Sequence, residues 1–121
     1  MAESIARIKS KKFALRMIKL FKHLKEAKQE YILSAQILRS GTSIGANLSE
    51  SRAAISKKDF INKIYIALKE ADETLYWLEL LNDSEYITNK QFKSLSDDCI
   101  EIIKILTSTT KTIVKGKESK L

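Results

Sequence analysis

Apolar residues recur at steps of three and four along four long stretches of the chain, and the alternation by two that marks strands is absent. In the first stretch, about residues 4–26, Ala6, Phe13, Met17, Leu20 and Leu24 share one face, with Ala14 and Phe21 beside them. The second, about 29–53, carries the stripe Leu33, Ile37, Ile44, Leu48 and Ile55. The third, 56–82, carries Phe60, Ile64, Ala67, Leu68, Ala71, Leu75 and Leu78. In the fourth, 88–115, Phe92, Leu95, Cys99, Ile102, Leu106, Thr109 and Ile113 form a coiled-coil-like seam. Ser56 with Asp59, and Thr88 with Gln91, have the spacing of capping boxes. Asn82-Asp83-Ser84 ends the third helix, and Gly116 is expected to end the fourth, leaving a basic tail over 116–121 that frays. Helices of about 25 residues span roughly 37 Å. Joined by short loops, they pack as antiparallel neighbours. The pattern predicts an all-α, antiparallel up-down-up-down four-helix bundle, one domain over residues 1–121.

Composition agrees with long helices: the 121 residues include no proline and three glycines. A chain of this size buries roughly two-thirds of its extended surface, enough for a core without staples. The lone Cys99 excludes an internal disulfide and reads as a small core residue in a reducing, cytoplasmic protein. No apolar run approaches the roughly 20 residues that span a bilayer, and no signal segment is visible, so no membrane association is expected.

The second helix is unusual. Its stretch RSGTSIGANLSES, residues 39–51, is rich in weak helix formers, and from Tyr31 to Ile55 only Arg39, Glu50 and Arg52 are charged. A helix without a charged face is covered on most sides, which one bundle cannot do, so a second copy of the chain is expected against it. Each glycine costs about 1 kcal/mol of helix propensity relative to alanine. Close packing at Gly41, Gly45 and Ala46 would offset that cost in the subunit contact; a kink or broken helix is the other reading. Arg39, Ser43, Asn47 and Glu50, at steps of three or four, are expected to form a semi-buried hydrogen-bonded network that fixes register. A ligand-binding stripe is the alternative.

The net charge of +7 is uneven. Residues 1–30 hold nine Lys and Arg against three Glu, whereas residues 56–87 hold four Lys against seven acids. Lys9, Lys12, Arg16, Lys19 and His23 lie on one stripe of the first helix; Lys11, Lys22 and Lys25, with Arg7, lie on another. Such rows can neutralise phosphates of RNA, and a solvated bundle face accounts for them equally. Aromatic residues that stack bases are sparse there, so recognition by shape and charge is expected. Ile8 and Leu15 project between the lysine rows, and Trp77 and Ile66 lie off the third helix's core stripe, as at a partner or subunit contact. Glu70 and Glu73 are expected to face basic residues of another helix or subunit. With one histidine, one cysteine and no phosphate-cradling glycine loop, no catalytic residue, metal or cofactor is expected.

The segments LRSGTSIGANLSES and SKKDFINKIYIALKEADETLYWLELL resemble the 23S rRNA-intervening-sequence protein family, whose relatives include the accessory variability determinant of diversity-generating retroelements. Glu70-Ala71 stands where the family usually has a pair of small residues. The resemblance implies an antiparallel four-helix bundle assembled as a homopentameric ring. It further implies binding of structured RNA, or of a reverse transcriptase as a protein adaptor.

Overall fold

The computed structural model describes residues 2–119, with side chains over residues 5–115. Four helices follow one another: α1 (Ala2–Glu26), α2 (Leu33–Ser51), α3 (Lys57–Asp83) and α4 (Asn89–Ser119). Each packs on its neighbours in the chain, α4 closes back on α1, and the backbones of the diagonal pairs stay apart among the described residues. This is an all-α four-helix bundle. Cross-helix partners show the antiparallel sense. Lys9 pairs with Glu101 and Arg16 with Asp98 between α1 and α4, and Arg39 pairs with Glu70 and Glu73 while Glu50 pairs with Lys63 between α2 and α3.

The apolar stripes meet in one core containing Phe13, Met17, Leu24, Ile37, Ile44, Leu48, Ile64, Leu78, Leu81, Ile102 and Leu106, all but inaccessible to solvent. Cys99 lies in the same core. Ser40 and Thr74, also fully buried, hydrogen-bond through their hydroxyls at 2.8 Å and tie α2 to α3 inside the apolar layer. Satisfied in this way, a buried polar pair fixes register without leaving an orphan group.

Helix ends follow the sequence in two places and depart from it in three. Ser56 accepts the Asp59 N–H at 3.0 Å, with the Asp59 carboxylate taking the Ile55 N–H at 3.3 Å in place of that of Ser56, and Thr88 and Gln91 exchange bonds of 2.8 and 3.1 Å, a full capping box. α2, however, begins at Leu33, not near residue 29. Gln29 takes φ 51° and the Glu30 N–H reaches back to the Leu24 carbonyl, a helix-ending turn built without glycine. The Glu30 carboxylate then accepts the Ser34 N–H at 2.8 Å and starts α2. Ile55 lies beyond the end of α2 and is 94% exposed, so it leaves the core stripe. Gly116 does not end α4: no glycine adopts positive φ, and the helix continues to Ser119. Lys120 and Leu121, the end of the expected basic tail, lie outside the described residues.

α2 is one continuous helix, and its glycines are not equivalent. A Cβ on Gly41 would run into Met17 of α1, lying 2.9 Å from its Sδ and closer still to its Cγ. A Cβ on Gly45 would meet Ser10 at an ordinary 3.5 Å. Gly41 is buried within the single chain, which corrects its assignment to a subunit contact. Gly41→Ala should therefore lower stability by about 1–3 kcal/mol, as overpacking does. Gly45→Ala should be neutral or stabilising by up to about 1 kcal/mol, from the helix propensity it gains. Urea unfolding of both variants checks the ranking; equal midpoints would show that Met17 yields freely.

Candidate functional site

Three surfaces and one buried thiol carry the chemistry of the chain. Along the α2–α3 crevice, the exposed Arg39 reaches two carboxylates, Glu73 at 2.5 Å and Glu70 at 3.2 Å. Ser43 donates to the Arg39 carbonyl at 2.6 Å and Asn47 to the Ser43 carbonyl at 2.8 Å, while Glu50 stands 3.5 Å from Lys63. The four residues line one strip, but they do not form the expected continuous network. The hydroxyl and the amide bond back to α2's own backbone, and the two charged residues bond outward to α3. The strip is also wetter than expected: Arg39 and Glu50 are exposed, and only Ser43 and Asn47 are half-buried. Glu70 and Glu73 face a basic residue of another helix, as the sequence suggested.

Between α1 and α4 runs a groove of 510 Å³, lined by Arg16, Lys19, His23, Lys90, Gln91 and Ser94 among others, with no carboxylate. The first lysine row borders it, but its members are not alike. Lys9 is paired with Glu101, and Arg16 binds Asp98 at 2.6 Å, the Ser94 hydroxyl at 2.9 Å and the Ser94 carbonyl at 3.2 Å. Lys12 and Lys19 make no ion pair among the described residues and are exposed to solvent. In the second row, Lys25 lies over the Phe21 ring at 4.9 Å, and Lys11 and Lys22 are exposed without a carboxylate partner among the described residues.

The third surface is the outer side of α1 with the adjoining face of α2. Ile8 is 59% and Leu15 54% exposed, and Ile5 and Ile18 extend this apolar ridge. Beside it a groove of 720 Å³ runs between Ile8, Lys11 and Ala14 of α1 and Thr42, Gly45, Ala46 and Ser49 of α2. Gly45 and Ala46 thus lie where a partner can reach them. Trp77 is half-buried, packs on the core and sits edge-on to Tyr76 at 5.3 Å, so its ring is committed largely within the chain. The sequence reading missed Tyr65 and Tyr76, both exposed on the outer face of α3. Their spacing of eleven was the available signal.

Cys99 is buried, donates to the Ala71 carbonyl at 3.3 Å, and its thiol is pushed up to about 12 by burial and then by the nearby Asp72 and Asp98. It is held as a neutral thiol, far from nucleophilic reactivity. Among the described residues no cluster of His, Cys, Asp and Glu could hold a metal, and no helix is long and apolar enough to cross a membrane.

The family model for 23S rRNA-intervening sequence protein matches residues 3–108. The chain belongs to this family. A crystal structure of a Bacteroides thetaiotaomicron protein of unknown function from the S23 ribosomal protein family is 52% identical, with a TM-score of 0.90, over 92% of this chain and 99% of that one. No curated protein matches the chain. The shared fold extends over all four helices, so the resemblance carried by α2 and α3 holds for the bundle as a whole.

The hydrogen bond from Arg39 holds the Glu73 carboxyl below its usual value, and the attraction of the guanidinium adds to it. A carboxyl depressed on folding stabilises the protein above its unfolded pKa, and that contribution is lost as pH falls through the folded value. Because Arg39 is exposed, screening limits the pair to no more than about 1 kcal/mol. Arg39→Ala should cost about that much at pH 7 in urea unfolding, and nothing once pH is below the carboxylate range. A loss that persists unchanged in acid would mean that packing of the Arg39 stem, not the ion pair, is responsible.

Proposed function

We propose that the protein is a non-catalytic, cytoplasmic bundle that assembles with copies of itself, in the five-membered ring the family resemblance implies, and binds structured RNA. The observation that carries the RNA reading is the carboxylate-free groove between α1 and α4, lined by Lys19 of α1 and Lys90 of α4, with the exposed Lys12 on the same helix as Lys19. Phosphates attract such cations irrespective of sequence, and release of their counterions supplies affinity. The names of the family and of the related structure, tied to ribosomal RNA and to ribosomal protein, support the same partner class. α3 is the most acidic helix, with six carboxylates against four lysines, and would be avoided by RNA. The exposed ridge of Ile8 and Leu15 favours a second reading, an adaptor that docks a protein such as a reverse transcriptase.

Salt dependence separates the two. RNA affinity should fall linearly on a log–log plot against salt. Lys12→Gln, Lys19→Gln and Lys90→Gln together should flatten the slope by roughly 1 for each phosphate no longer neutralised, and weaken all RNA sequences alike. Helicity should persist, since Gln is a comparable helix former. Anisotropy titrations of a structured RNA at several salt concentrations make the measurement. A wild type that does not bind at low salt, or a triple variant with an unaltered slope, leaves the adaptor reading in its place.

A further inference from the structure

The basic groove between α1 and α4 opens at one end into a second pocket. His23 and Gln91 line both, so the two meet there. The second pocket has a volume of 580 Å³ and is bordered by Lys28 beyond α1, by Asn82 and Asp83 at the end of α3, and by Glu85 and Tyr86 of the α3–α4 turn. Its chemistry differs from that of the groove. The groove holds Arg16, Lys19 and Lys90 and no carboxylate; the pocket holds two carboxylates, one ammonium and the Asn82 and Gln91 amides.

The turn that carries these groups is anchored. Glu85 takes φ 65°, and its N–H bonds to the Asn82 carbonyl at 3.1 Å. The Tyr86 N–H bonds to the Leu81 carbonyl at 2.9 Å, and the buried Ile87 seats the turn in the core. The polar side chains, by contrast, do not satisfy one another. Lys28, Asp83 and Glu85 are exposed, and none forms an ion pair among the described residues. The Asn82 side-chain oxygen is buried and has no hydrogen-bond partner. The Gln91 Oε1 is taken by the Thr88 N–H, which leaves its amide nitrogen to donate. Opposite charges gathered around one pocket and left apart suit a ligand with donors on one edge and acceptors on another.

We infer that this pocket takes an unpaired guanine of the RNA whose phosphates lie in the groove. The inference rests on the proposed RNA binding and adds a base preference to it. Proteins that read RNA sequence do so mostly on unstacked, single-stranded bases, through their exposed edges. Guanine alone among the four bases presents two adjacent donors on its Watson–Crick edge, N1–H and N2–H, which match the two oxygens of a carboxylate. Its O6 and N7 accept, and suit the ammonium of Lys28. Adenine and cytosine set one amino donor beside a ring acceptor, and uracil sets one N–H between two carbonyls, so a carboxylate meets repulsion on each. Tyr86 and His23 supply rings on which any base stacks; stacking adds affinity, and the carboxylates choose the base. The sugar and phosphates then extend toward Lys19 and Lys90, where no carboxylate opposes them.

The test compares four RNA hairpins with one stem that differ only in a single unpaired 3′ nucleotide, by anisotropy at one low salt concentration. The guanine hairpin should bind the wild type about tenfold tighter than the other three, the discrimination of one bidentate contact. Asp83→Asn combined with Glu85→Gln should bring the four affinities within about twofold of one another. Both positions are exposed, and circular dichroism checks that the helices persist. The ratio decides, because removing two negative charges that read no base would raise affinity for all four hairpins alike. Equal affinities in the wild type, or a guanine preference that survives in the double variant, overturns the inference and leaves the RNA reading standing. A wild type that binds none of the hairpins overturns both. Displacement of the guanine hairpin by an equal concentration of guanosine monophosphate overturns RNA as the source and makes the pocket a site for the free nucleotide.

Discussion

The close approach of α1 and α2 at Gly41 is the constraint on which the rest of the bundle depends. Met17 occupies the volume a side chain at position 41 would need, so α1 cannot rotate or slide on α2 without a collision or a void. With Met17 and Phe13 turned inward, Ile8, Leu15 and Ile18 must point outward, on the opposite side of the helix. The exposed ridge is thus the other side of a core decision. The same contact sets the level of α1 against α2, and the neighbouring Ser40–Thr74 bond carries that level on to α3.

Apolar burial and polar cross-links have separate tasks. Burying one leucine, isoleucine or phenylalanine contributes roughly 1.5–3 kcal/mol, whereas an exposed ion pair contributes at most about 1. The core therefore holds the helices together. The Arg39–Glu73 and Arg16–Asp98 pairs and the buried Ser40–Thr74 bond select among registers that an apolar interface alone would leave close in energy. The Ser40 and Thr74 hydroxyls serve inside the layer because each finds its partner in the other; charges serve at the rim, where water completes their solvation.

Features set by local periodicity were legible in the sequence. The core stripes of α1, α3 and α4, the Thr88–Gln91 capping box and the four-helix topology follow from spacing alone. Features set by which helix stands beside which residue were not. Lys9 and Lys12 read alike along the chain, yet of the two Lys9 faces a carboxylate on α4 and Lys12 does not. Gly41 and Gly45 read alike, yet Gly41 faces a long side chain and Gly45 a serine. Gln29 and Glu85 take positive φ at helix ends where glycine is usual, so the turns that place α2 and α4 left no glycine signature. In the candidate site, the four-residue polar stripe of α2 was visible as a pattern, but its partners on α3 were fixed only by packing.

The burial of Cys99 reaches beyond packing. A thiol enclosed by Ala71 and the surrounding core, and kept protonated, offers oxidants neither a thiolate nor a path of attack. Among the described residues the fold holds no disulfide and exposes no sulfhydryl. Its cysteine chemistry is consequently uncoupled from the redox poise of its surroundings, unlike that of a surface cysteine, which oxidants would cross-link.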